Sequence, residues 1–234
     1  MQRPLERVST LTFDMFGTVL DLSGSIVPAV RDFLAAAGVE ADASAVWADW
    51  RTRQRLEQHQ DTILMLGHRG YLDSARRALQ HTLQRHRVAY TQDAVRDLLQ
   101  VFERLRPFDD AQAGLLRLGE RYRLVALSNG DRGLVEHLAA NNVEAKFERS
   151  LSVDRVGRFK PHPSVYRMAA AELQCEPGEI MMVAAHAFDI LGARACGYRG
   201  AYVNRYGLPY EDSPLLPDFE VRDFNELADI LLAR

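Results

Sequence analysis

The feature that most narrows what this chain can fold into is an alternation. Short apolar runs recur along it, each too brief for a helix, and segments of helical period separate them. The runs are Thr10–Phe13, Leu124–Leu127, Ser150–Val153, Ile180–Ala184 and Ala201–Val203, with a last one near Phe219–Val221. Continuous apolar character belongs to strands covered on both faces, and strands joined through helices run parallel. The expected fold class is therefore α/β, a parallel sheet layered between helices.

One interval breaks the rhythm. Between the first and second runs there is almost no strand signal, and the periodicity predicts helices over Ile26–Ala37, Ala43–Gln60, Tyr71–Arg87 and Gln92–Leu105, the last with Thr91 as N-cap. Gly38 and the pair Gly67 and Gly70 mark the breaks between them. This reads as an inserted helical domain. The chain then divides into a core of residues 1–20 and 107–234 and a helical cap of residues 21–106. After Pro107, a helix through Ala111–Glu120 leads back into the core.

Composition excludes several classes of partner. With 29 basic and 32 acidic residues well mixed, and a formal charge of -3, no basic stripe is available to neutralise phosphates, so nucleic acid is not expected. Cys175 and Cys196 lack a C-x-x-C spacing and suit a reducing compartment. The stretch Met1–Arg7 has no apolar leader core, and no segment approaches the ~18 apolar residues of a membrane span. A cytoplasmic protein away from membranes is expected. Base rates point to a homodimer, with the outer faces of the helical domain as contacts.

The predicted strands deliver polar groups at their carboxyl ends, where open α/β sheets bind ligands. The first ends on Asp14 and turns at Gly17-Thr18, which places a carboxylate where a nucleophile belongs. The second ends on Ser128-Asn129-Gly130 just before a helix, whose N-terminus favours anions. Next comes Lys160 in a proline-stiffened loop, with Tyr166 early in the following helix; a cation beside Asp14 would keep it ionised. The fourth strand runs into Ala184-Ala185-His186-Ala187-Phe188-Asp189 and supplies a second carboxylate. Taken singly, each has a plain reading: Thr18 as a helix cap, Ser-Asn-Gly as a helix entry, Lys-Pro as a solvated loop, His186 and Asp189 as a local pair. Their order on successive strand ends argues for one site.

These motifs together resemble the haloacid dehalogenase superfamily, and within it the 2-haloacid dehalogenase branch, across essentially the whole chain. The resemblance implies a Rossmann-like core with a helical cap over the carboxyl ends of the strands. It implies Asp14 as nucleophile held by Thr18, Ser128 with Asn129 as the second motif, Lys160 as the third, Tyr166 as the branch's site tyrosine and Asp189 as the acidic residue of the fourth. Trp50-Arg51 is similar to the branch's arginine, which contacts the departing halide. Phe16 stands where phosphatase relatives carry an aspartate, as it often does in dehalogenases. The fourth motif departs from the branch: Ala184-Ala185-His186 replaces Ser-Ser-Asn, so that His186 takes the asparagine's place.

The function so implied is a hydrolase that displaces halide from C2 of a short (S)-2-haloalkanoate through an aspartyl ester, giving the (R)-2-hydroxy acid. In that reading Arg51 and Asn129 stabilise the halide, while Ser128 and the backbone N–H groups of Met15 and Phe16 hold the substrate carboxylate. A water oriented by Asp189, with help from His186, cleaves the ester. Phe16, Trp50 and Phe188 make the pocket apolar. Lys160 supplies the charge that Mg²⁺ gives in phosphatase relatives, so no metal or other cofactor is expected. The alternative keeps the nucleophile and changes the leaving group, as in ring opening of azetidine-2-carboxylate. A phosphatase, which would need a general acid where Phe16 stands, and a non-catalytic binding protein rank lower.

Overall fold

The computed structural model describes residues 7–65 and 67–233; of the amino-terminal stretch read for a leader, only Arg7 falls within them. The chain enters on β1 (Thr10–Phe13), turns through residues 14–19 and leaves along β2 (Leu20–Asp21). Four helices follow, α1 (Leu22–Ala36), α2 (Ala43–Ile63), α3 (Tyr71–Arg85) and α4 (Gln92–Leu99), with a 3₁₀ turn over Gln100–Arg104. The chain returns on β3 (Arg106–Pro107), which pairs with β2, and continues as α5 (Asp109–Leu118), β4 (Arg123–Ser128), α6 (Arg132–Asn141) and β5 (Arg149–Ser152). It finishes as α7 (Pro163–Leu173), β6 (Ile180–Ala184), α8 (Ala187–Ala195), β7 (Arg199–Val203), β8 (Phe219–Val221) and α9 (Phe224–Leu232). Two compact units result, Met1–Leu20 with Pro107–Arg234, and Asp21–Arg106.

In the first unit six strands form one sheet in the order β5-β4-β1-β6-β7-β8, and every neighbouring pair is parallel. This is the doubly wound Rossmann order, with the first strand central and the winding direction reversing between β1 and β6. At that reversal the connections leave opposite faces of the sheet and a crevice opens beyond the strand ends. The register sets Phe13 opposite Ala126 on one side and Val183 on the other, so β6 ends level with Asp14 and β4 one residue beyond it. Leu11, Phe13, Val125, Met181 and Val183 are fully buried, and Phe13 stacks on Phe224 of α9 at 5.8 Å between ring centroids.

The helical unit begins each of three helices on a side-chain cap. Asp21 accepts from Gly24 N, Asp42 from Ser44 N and Thr91 from Ala94 N, each satisfying an N–H that the first turn leaves without a partner. The periodicity placed one helix over Gln92–Leu105. Instead α4 ends at Leu99, where Gln100 N donates to both Asp97 O and Leu98 O and the winding tightens to 3₁₀. Trp50 corrects a second expectation. It is fully buried in this unit's own core, edge-on to Trp47 and Phe102, with its indole N–H on Ala75 O at 2.8 Å, so it is not a pocket wall. No helix among the described residues is long and apolar enough to cross a membrane.

Candidate active site

Asp14 is the first residue beyond β1, and its backbone N–H still donates to Val183 O of β6 at 3.0 Å. The sheet therefore fixes the Cα while the side chain emerges at the switch point. A tight loop follows, in which Gly17 N donates to Leu20 O (2.9 Å) and Leu20 N to Met15 O (2.8 Å). Gly17 adopts a φ of +85°, a region open to glycine, and an added Cβ there would lie 3.0 Å from His186 Cε1. Met15 and Phe16 are buried within this loop.

The Asp14 carboxylate is held from two sides. Oδ1 accepts from Lys160 Nζ at 3.1 Å. Oδ2 accepts from the Thr18 hydroxyl at 2.8 Å and lies 3.2 Å from His186 Nδ1. Thr18 in turn accepts from Ala185 N at 2.9 Å, tying the β1 loop to the β6 loop. Thr18 is thus no helix cap; Asp21 fills that role for α1. Burial alone would raise the Asp14 pKa, but the Lys160 charge, followed by His186 and Thr18, holds it well below the usual carboxylate range.

Lys160 connects this carboxylate to a second one. Its ammonium donates to Asp14 Oδ1, to Leu127 O at 2.7 Å and to Asp189 Oδ2 at 2.5 Å. Burial opposes the charged form of Lys160, and the two carboxylates more than compensate, raising its pKa. The other oxygen of Asp189 accepts from the Tyr166 hydroxyl at 2.7 Å. Gly192 of α8 makes that approach possible, since a Cβ there would stand 2.6 Å from the tyrosine oxygen. Burial pushes the Asp189 pKa up to about 6, with the Asp14 charge adding to it against Lys160 and Tyr166. Tyr166 is itself raised well above the ordinary phenol value, by burial first and then by Asp189, and remains a neutral donor.

This arrangement revises the expected role of Asp189. With both oxygens bonded and only 1% of its side chain exposed, it is not placed to orient a water; it anchors Lys160. The Asp14 and Asp189 carboxylates share the Lys160 ammonium.

The remaining expected residues divide between the two units. Ser128 Oγ accepts from Gly130 N at 3.1 Å, shaping the turn into α6, and Asn129 Oδ1 accepts from Lys160 N at 2.7 Å, tying the second loop to the third. Phe188 is half-buried, with its ring 5.5 Å from that of His186. Arg51 lies in the helical unit, where its guanidinium donates to Gln54 Oε1 at 2.9 Å and Tyr71 OH at 3.2 Å.

Tyr206 was not anticipated. It follows β7, donates to Gly17 O at 2.8 Å and sets its ring 6.2 Å from His186, so that His186 has two aromatic neighbours. The available signal was its position: an aromatic shortly after a strand end on the sheet edge that carries Asp14.

An ionised carboxylate at the switch point, gripped by a fixed ammonium and a hydroxyl, has the makings of an attacking group for carbon or phosphorus. A family model for haloacid dehalogenase-like hydrolases matches residues 8–197. The haloacetate dehalogenase H-2 of Moraxella sp. (strain B) is 29% identical over 93% of this chain and 95% of its own. An (S)-2-haloacid dehalogenase of Xanthobacter autotrophicus is 30% identical over 85% of this chain and 76% of its own. Among solved structures, a defluorinating L-2-haloacid dehalogenase superposes with a TM-score of 0.86 at 28% identity, covering 96% of this chain and 95% of that one.

Proposed function

Because the chain belongs to the haloacid dehalogenase-like hydrolases, we propose that it hydrolyses the carbon–halide bond of short (S)-2-haloalkanoic acids through an ester on Asp14, releasing (R)-2-hydroxy acids. The observation that carries this reading is the Asp14 carboxylate, kept ionised at the sheet's switch point by Lys160 Nζ at 3.1 Å. Attack on C2 from the side opposite the halide inverts that carbon once. Phe16 supports the choice of leaving group, because phosphoryl transfer through such a loop needs a general acid and a phenyl ring has no proton to give. Relatives named as dehalogenases favour halide over a ring amine.

In this reading Thr18 and Lys160 orient the nucleophile, and Asp189 and Tyr166 hold Lys160 in place. Ser128 and the backbone N–H groups of Met15 and Phe16 bind the substrate carboxylate, with Asn129 assigned to the halide, where fixed donors lower the barrier most. Phe188 lines the apolar part of the pocket. Lys160 serves as the cation, so the reaction is metal-independent. Free Cys175 and Cys196 support a cytoplasmic setting. Exposed Ile63, Leu64 and Met65 at the end of α2 support a homodimer through the helical unit, which sedimentation would test.

The test is halide release from each enantiomer of 2-chloropropionate in excess chelator. The (S) enantiomer alone should react, giving (R)-lactate, and Asp14→Asn should abolish release while leaving the fold intact. Retained turnover in Asp14→Asn, or a requirement for added metal, would overturn the proposal.

A further inference from the structure

An aspartyl ester must be hydrolysed before a second turnover, and that step needs a group to take a proton from the attacking water. Resting on the reading of Asp14 as nucleophile, the neighbours of its carboxylate can be sorted by what each can do. Thr18 donates to Oδ2 and accepts from Ala185 N, and an alkyl hydroxyl is no base at neutral pH. Lys160 is protonated, and its three donors are directed at Asp14, Leu127 O and Asp189. Asp189 is sealed between Lys160 and Tyr166. His186 remains. Its Nδ1 is 3.2 Å from Asp14 Oδ2, its side chain is 9% exposed, and the rings of Phe188 and Tyr206 lie 5.5 and 6.2 Å from its own.

We infer that His186 is the general base of the hydrolytic half-reaction, in place of the shared part in which Asp189 orients the water and His186 only helps. Facing a carboxylate, Nδ1 carries a proton and donates it to the hydrogen bond. Alkylation of Asp14 removes the negative charge that fixes this tautomer; Nδ1 gives its proton to solvent as Nε2 takes one from solvent, so the ring stays neutral and the Nδ1 lone pair turns to the ester. Water oxygen then bonds to Asp14 Cγ as one water proton passes to Nδ1. The tetrahedral adduct collapses, breaking the bond from Cγ to the oxygen on C2. The departing alkoxide takes the proton back from Nδ1 and leaves as the 2-hydroxy acid. Asp14 is regenerated as the acid, loses its proton to solvent and pairs with His186 again.

The experiment is a rapid-quench single turnover of (S)-2-chloropropionate on the full chain, comparing wild type, His186→Gln and His186→Ala. In each sample chloride, lactate and intact protein mass are measured together. Both variants should release about one chloride per chain at close to the wild-type rate, which also shows that they are folded. Lactate should then appear ~10²–10⁴-fold more slowly, while the protein carries one 1-carboxyethyl group. Added imidazole should speed lactate release from His186→Ala without changing chloride release. Lactate release at the wild-type rate, equal slowing of chloride and lactate with no trapped ester, or loss of chloride release from the variants alone would each overturn the inference. Absence of chloride release from the wild type would overturn the dehalogenase reading itself, and this inference with it.

Discussion

Replacing Lys160 by methionine tests how the site is held together. The substitution keeps most of the side-chain volume and removes an ammonium that donates to Asp14 Oδ1, Leu127 O and Asp189 Oδ2. Two buried carboxylates are left facing one another without a cation, and Leu127 O loses a buried donor. Removing one partner of a buried ionic cluster costs ~3–5 kcal/mol, because the remaining charges stay desolvated. At ~2–4 °C per kcal/mol for a chain of this size, the melting temperature at pH 7 should fall by roughly 6–20 °C. The deficit should shrink as pH is lowered. Asp189 already titrates near 6, and without Lys160 its value rises further, so protonation relieves the repulsion. A second substitution, Asp189→Asn, should return at least half of the lost stability at pH 7 by removing one of the two charges. Thermal melts of wild type, Lys160→Met and the double variant between pH 5 and 8 provide the assay. A single variant as stable as wild type at pH 7, or a double variant less stable than the single, would refute the reasoning.

Three further outcomes follow from the same geometry. Thr18→Val leaves the buried Ala185 N–H without its acceptor, so denaturation should show a loss of ~1–3 kcal/mol, with a lower kcat because Asp14 loses a donor. Gly17→Ala forces a side chain into a φ of +85° and against His186, which should cost ~1–3 kcal/mol in the same assay and reduce turnover. The pH dependence of stability carries opposite contributions from the two carboxylates. Asp189, raised from 3.8 to about 6, makes the folded state hold an extra proton between those values, so its contribution is lost as pH rises through that window; Asp189→Asn should remove that fall in urea midpoints. Asp14, held low, contributes stability above the ordinary carboxylate value that is lost on acidification, and Asp14→Asn should flatten the acid limb.

What the sequence made legible follows from the range of the forces involved. Thr10–Phe13 and Ile180–Ala184 are strands with the boundaries their apolar runs indicate, because burial on both faces leaves a continuous signature. The resemblance also named Asp14, Thr18 and Lys160, and the structure brings these three together. Less legible was anything that depends on a partner distant in sequence. The Leu127 carbonyl that accepts a hydrogen bond from Lys160 Nζ is a backbone group with no residue type to announce it. Tyr206 meets Gly17 only because β7 and β1 end on the same edge of the sheet. Whether Asp189 is solvated or sealed is likewise decided by Tyr166 and Gly192, which have no chemical mark of that role in sequence. Trp50 shows the reverse failure: an aromatic beside a residue of interest was read as pocket wall when its helix turned it into a core.

The central claim, that Asp14 is alkylated and then freed by water attack on its own carboxyl carbon, is tested most directly by a single turnover in H₂¹⁸O with enzyme in excess over (S)-2-chloropropionate. The account predicts that this first lactate carries unlabelled oxygen taken from Asp14, and that the ¹⁸O appears in the Asp14 side chain on peptide mass analysis. Lactate labelled in the first turnover, with Asp14 unlabelled, would mean that water displaces the halide directly and would contradict the account.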